Sequence, residues 1–173
     1  MKRSRFAVKG MIVAVFFLGS WICWAAPVLP ERPRLPGEVR SLAGLRQFKV
    51  SVETALTGSK PIRIDTGALR EKVEAILEER GYGAVDDDQA AAMRVTLVMA
   101  DNERHPNMLG FTIHVAVEQA VVIRRLDQTI RVPTYAAAAV GFATRQDVRA
   151  EIERVLENIV HFFVGQADAA NQQ

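Results

Sequence analysis

Residues 110–125 read GFTIHVAVEQAVVIRR, and the alternation in this run decides the fold. Phe111, Ile113, Val115, Val117, Val121 and Ile123 occupy the odd positions, broken only by Gln119. Thr112, His114, Glu118 and Arg124 occupy even ones. A period of two places these sets on opposite faces of a strand, one turned to a core and one to solvent. A straight strand of this length would span about 53 Å at about 3.3 Å per residue, more than a domain of this size is wide. The run therefore predicts a bulge or bend near Gln119, or a hairpin that projects beyond the core. Leu126–Gln128 supplies a turn and Thr129–Phe142 a returning strand, in which Pro133 suits an edge or a bulge. The alanines Ala136–Ala139 favour helix intrinsically. They are read here as strand, where small side chains let a helix lie close to the sheet.

Upstream, Leu45–Glu53 (LRQFKVSVE) alternates in the same way, with Phe48, Val50 and Val52 on one face. Thr66 reads as the cap of a helix over 67–80, because Leu69, Val73, Ile76 and Leu77 share one face of a 3.6-residue period. Gly81 suits a left-handed stop, and Asp86–Asp88 a solvated turn. Met93–Ala100 alternates again. Downstream, Thr144 and Asp147 resemble a capping box. Val148, Ile152, Val155, Leu156, Ile159, Phe162 and Phe163 then make an apolar stripe on a helix from Arg145 to Val164. Gly165 is read as its end, leaving 166–173 as a flexible tail. The order β-α-β-β-β-α predicts an α+β fold, a two-layer sandwich of a four-stranded mixed sheet with two helices on one face. The helical crossover makes the first two strands parallel, and the last two form an antiparallel hairpin.

The chain opens with Lys2, Arg3, Arg5 and Lys9, followed by GMIVAVFFLGSWICW over 10–24. Such a run fits the core of a secretory signal and falls short of the roughly 20 residues a membrane span needs. Residues 1–25 are read as a signal peptide cut after Ala25, with an uncleaved N-terminal anchor as the alternative. The expected location is periplasmic, or tethered to the inner membrane if the anchor stays. Ile22 ahead of Cys23 does not suit lipidation. Pro27, Pro30, Pro33 and Pro36 recur every three residues, the period of polyproline II, so 26–40 reads as a semi-rigid Pro-rich linker. A single domain occupies 41–165.

Of the 173 residues, 22 are Lys or Arg and 20 are Asp or Glu. Without the four basic residues of the leader, 18 stand against 20. This slight acidity excludes a strongly basic nucleic-acid binder. The one cysteine, Cys23, lies in the leader, which excludes disulfide scaffolds, thiol catalysis and cysteine zinc sites from the rest. No phosphate loop, G-x-S-x-G or H-E-x-x-H run is present. Asp101, Glu103 and His105, with His114 on the next strand, match no metal-site spacing and read as a solvated loop. His161, beside Phe162 near the end of its helix, reads as structural. No catalytic residue, metal site or cofactor is assigned.

The leader, LRQFKVSVE, the helix LREKVEAILEERGY, the long hairpin strand and the closing EIERVLENIVHFF resemble small exported proteins of bacterial envelopes. The layout is similar to accessory envelope lipoproteins and to the N-terminal domain of the Tol-system periplasmic protein TolB. The likeness covers 41–165 in element order. It implies binding or assembly in the envelope rather than chemistry.

Three functions follow as expectations. The first is a non-enzymatic envelope protein that binds a protein partner through its uncovered sheet face, where Thr112, His114 and Glu118 stand, or by pairing at a sheet edge. Arg124, Arg125 and Arg131 gather at the hairpin end and would meet an acidic partner or a membrane surface. The second is an accessory factor in lipid or outer-membrane transport, suggested by Val98, Ala120 and Val122 on the nominally exposed face. The third is a small hydrolase, which needs a pocket with convergent titratable groups.

Overall fold

Strands form where apolar residues alternate, and helices where they recur every three to four residues. The computed structural model describes residues 35–57, 62–101 and 104–172. Its elements are α1 (Gly37–Arg40), β1 (Gln47–Thr57), α2 (Thr66–Glu79), β2 (Gly83–Ala84), β3 (Ala91–Asp101), β4 (Met108–Ile123), β5 (Gln128–Thr144) and α3 (Val148–Asn171). The fold is α+β, with one sheet in the order β2-β1-β3-β4-β5. β1 runs parallel to β3, as the crossover through α2 requires, and β3, β4 and β5 are antiparallel neighbours. The expected four strands and two helices become five and three. β2 pairs only two residues with β1, and α1 is a single turn, so neither is long enough to show a period in the sequence. The leader, 1–25, and Pro27, Pro30 and Pro33 lie outside the described residues.

The apolar face of the sheet packs under α2 and α3. Phe48, Met93, Val95, Leu97, Ile113, Val115 and Val117 meet Val73, Leu77, Ile152, Leu156, Val160 and Phe163 in one core. Phe163 meets Phe48 and Tyr135 edge to face and Phe48 meets Tyr82 at a tilt, with ring centroids 5.4–5.9 Å apart. α2 begins one residue earlier than expected, because Asp65 and not Thr66 caps it: the Ala68 N–H donates to Asp65 Oδ1 at 3.1 Å. It ends as expected at Gly81, with φ of 78°, and the Tyr82 N–H reaches back to the Leu77 carbonyl.

The last helix differs from expectation at both ends. It starts at Val148, after the Thr144 Oγ1 to Asp147 Oδ2 bond of 2.7 Å. It then runs through Gly165 to Asn171, so 166–171 belongs to the domain and is not a flexible tail. Ala167 and Ala170 continue the buried stripe in small residues. The Tyr82 hydroxyl donates to Asp168 Oδ1 at 2.8 Å, and the Gly44 N–H to Asn171 Oδ1 at 2.8 Å. These contacts offset the roughly 1 kcal/mol that a mid-helix glycine costs. Burial first, then the bond to Asp168, hold the Tyr82 phenol above its ordinary value. His161 is exposed and well inside the helix, away from its C-terminal end. The domain also starts earlier than residue 41, since Val39 of α1 is buried and Ser41 Oγ donates to Thr134 O at 3.1 Å.

Both devices expected of the long hairpin are present. The register shifts between Val117 and Glu118, which pair with Tyr135 and Pro133 and leave Thr134 as the extra residue. The bulge therefore sits on β5, beside the proline that cannot donate to a ladder. Gln119 is explained by it: Nε2 donates to Thr134 Oγ1 at 2.6 Å and to Ser41 O at 2.9 Å. β3 pairs with β4 only as far as Glu118, so the pairs from Gln119–Val132 to Ile123–Gln128 form a two-stranded ribbon beyond it.

Candidate functional site

Among the described residues, one face of the sheet has no helix over it. Reading across β1, β3, β4 and β5, the register places Glu53, Thr96, His114 and Ala138 in one row, and Ala55, Val98, Thr112 and Val140 in the next. Thr112, His114 and Glu118 therefore share the open face, as their even positions predict. His114 is exposed, while Thr112 and Glu118 are half-buried. Arg94 Nη2 lies 3.4 Å from Glu118 Oε2, so this carboxylate already has a partner on the same face.

Towards β5 the open face becomes apolar. Val140 and Phe142 are 66% and 71% exposed, and Val98 and Met108 are exposed beside them. Two cross-strand pairs build this corner. Gly110 faces Phe142 and Phe111 faces Gly141, so each aromatic ring lies over a glycine on its own side of the sheet. A Cβ at Gly141 would overlap the Phe111 ring. The glycine leaves room for the tip of the Phe111 ring in the core, while strand parity turns Phe142 to the open face. Val98 stands on this face as its parity predicts, whereas Val140 and Phe142 were missed in the sequence because the bulge at Thr134 resets which residues of β5 face outward.

Among the described residues β5 is also the last strand of the sheet, with no neighbour on its outer side. From Thr134 to Thr144 it carries no charged residue. Edges are ordinarily blunted by charge, proline or brevity. Here Pro133 and Arg131 stand only in the distal half, and Ser41 caps only Thr134.

The expected cluster of three arginines at the hairpin end is a pair. Arg124 and Arg125 are exposed in the turn between β4 and β5, where Asp127 takes a φ of 48°. Arg131 points elsewhere: its Nη2 donates to the carbonyls of Asp88 and of Ala90, the latter at 2.9 Å. The acidic turn it holds is braced rather than merely solvated. Lys49 Nζ lies 2.8 Å from both Asp86 and Asp88 carboxylates. Those hydrogen bonds hold the Lys49 ammonium above the ordinary lysine range and Asp88 below the ordinary carboxylate range.

A groove of about 660 Å³ between α2 and α3 is lined by Ile64, Leu69, Lys72, Arg149, Ile152 and Glu153, among others. Its lysine is held by Glu157 at 2.6 Å and Glu153 at 3.0 Å, which raise its pKa. A lysine base needs the opposite shift. Among the described residues no three His, Cys, Asp or Glu side chains stand close enough together to hold a metal ion. Glu103 lies outside the described residues, and Asp101 pairs with Arg145 at 3.3 Å. Asp101 and His114 lie five register positions apart along β3 and β4, about 17 Å at about 3.4 Å per residue.

No family model and no curated protein matches the chain. Among solved structures it is similar to a minor lipoprotein from Acinetobacter baumannii, at 16% identity and a TM-score of 0.41, over 73% of this chain and 93% of that one. It is also similar to rare lipoprotein B from Shewanella oneidensis, at 13% identity and a TM-score of 0.29, over 72% and 89%. Both of those proteins are lipoproteins. At these values the likeness is one of layout and assigns neither activity nor partner. Among the described residues no helix is long and apolar enough to cross a membrane.

Proposed function

We propose that the protein is a non-enzymatic module of the bacterial envelope, exported to the periplasm, which binds or assembles with a protein partner through β5. The partner supplies an extended segment that adds a strand to the free edge, and its apolar side chains cover Val140, Phe142 and Val98. The observation that supports this is the coincidence of an uncharged, unpaired edge with an exposed apolar corner on the adjoining face. Strand addition draws affinity from the free backbone groups and selectivity from the alternate side chains. Exposed contiguous apolar surface is a common mark of such contacts. Thr112, His114 and Glu118 form the polar margin of the same face. A second reading, an accessory factor in lipid or outer-membrane transport, rests on the same Val98 and Val140 as an apolar seat.

The two readings separate by substitution. Ala138→Lys puts a charge at the edge while leaving Val140 and Phe142 in place. Under strand addition, cross-linking in the native envelope should recover at least tenfold less partner with Ala138→Lys. The thermal midpoint should hold, because an exposed site shifts stability by only about 0.5 kcal/mol. Undiminished capture with Ala138→Lys, together with loss in Val140→Ser, would favour the apolar seat instead.

A further inference from the structure

The ribbon formed by Gln119–Ile123 and Gln128–Val132 needs an explanation that neither the core nor the β5 edge supplies. It extends five paired positions past the last residue of β4 that β3 reaches, about 17 Å at about 3.4 Å per residue. Both faces are open, and each carries exposed aliphatic side chains. Val121 and Ile130 point to one side, at 38% and 40% exposure, and Val122 to the other at 59%. Leu126 stands in the turn at 52% exposure. Arg124 and Arg125 precede it, against the single carboxylate of Asp127. The third arginine of the hairpin is tied back to the acidic turn, which braces the root of the ribbon and leaves the two turn arginines as the charge at its end.

We infer that this ribbon tip docks on an anionic membrane surface. A protein groove covers one side of a ribbon, whereas aliphatic side chains on both faces and at the turn are all covered only by a medium that surrounds the tip. The interfacial zone of a bilayer is such a medium. The two guanidinium groups pair with lipid phosphates at that level while their methylene stems and Leu126 pass into the apolar boundary. The charge sign is complementary to anionic headgroups and opposite to that of residues 26–173, where 18 Lys and Arg stand against 20 Asp and Glu. The tip is separate from the β5 edge between Thr134 and Thr144, so one copy can hold a partner strand and a membrane at once.

The test is sedimentation of the full chain with vesicles of phosphatidylcholine containing phosphatidylglycerol, beside vesicles of phosphatidylcholine alone. All variants carry the same N-terminus, so differences report the tip. Binding should require the anionic lipid and weaken as salt rises. Arg124→Gln with Arg125→Gln should weaken it about 30-fold at low salt, the equivalent of about 1 kcal/mol for each arginine. Leu126→Asn should weaken it at every salt concentration, and Ala138→Lys should leave it unchanged. An equal loss on both vesicle types from the double arginine change, or binding unaltered by it, overturns the inference. So does loss of a cross-linked acidic protein from the arginine variant with vesicle binding intact, which would give the tip a protein partner. None of these outcomes bears on capture through β5, because Ala138→Lys tests that alone.

Discussion

The two halves of the β4–β5 hairpin share one alternating pattern and have opposite fates. In the proximal half Ile113, Val115 and Val117 are sealed beneath the helices. In the distal half Val121 and Ile130 continue the same face and are exposed. Alternation tells which residues share a face. It does not tell whether anything lies over that face. α3 packs on β4 and β5 in the proximal half, and Gln119, bonded to Ser41 and Thr134, closes the core edge where cover ends. The single polar residue in the odd series thus marks the boundary between strand as core and strand as reach.

The widest expected contrast lies across that boundary. Ile113→Ala should destabilise the domain by ~2–5 kcal/mol, whereas Val121→Thr should stay within about 0.5 kcal/mol. Denaturant midpoints of the two variants measure this, and similar losses at both sites would mean that the distal half is covered. Next in size is Gly141→Ala, which drives a methyl into the Phe111 ring and should cost ~1–3 kcal/mol by overpacking. A neutral result would show that Phe111 has room to move and that the glycine opposite it is not required. Gln119→Leu should cost about 1 kcal/mol, since the Ser41 carbonyl loses a donor. That change should also raise hydrogen exchange at the root of the ribbon more than at Val115.

The smallest effect is electrostatic. Asp88 has a carboxyl lowered by its bond to Lys49. Its contribution is therefore present above the ordinary carboxylate range and is lost as pH falls through the lowered value. The group is fully exposed, so the change should show in the Asp88 carboxyl resonance rather than in unfolding. Its titration midpoint should rise towards the ordinary range in Lys49→Met. An unmoved midpoint would remove the brace from the account.

Much of the layout was legible because burial imposes a period. The alternating strands of the hairpin and the two large helices follow from it, the parallel β1–β3 pair from the helical crossover between them, and the strand at Ala136–Ala139 from its place in the returning arm of the hairpin. What escaped has physical reasons. α1 and β2 are shorter than any period. Gly165 looked like a helix end because glycine is costly there, yet Ala167, Ala170 and the Asp168–Tyr82 bond carry the helix past it. At the candidate site, Thr112, His114 and Glu118 were placed correctly on the open face by parity. Arg131 was not placed with its neighbours, because a long side chain reaches across the sheet to carbonyls that no pattern announces. Val140 and Phe142 were hidden by the bulge, which changes parity at Thr134.

The central claim is that the proximal half of β5 is a contact edge on the outside and a core strand on the inside. Photo-reactive residues placed singly at Ala138, Val140 and, as a control, the exposed Phe162 on the helical face test it in the native envelope. Adducts with one protein partner at Ala138 and Val140, and none at Phe162, are the predicted result. Adducts at Phe162 with none along β5 would contradict it, and would move the contact to the helical layer.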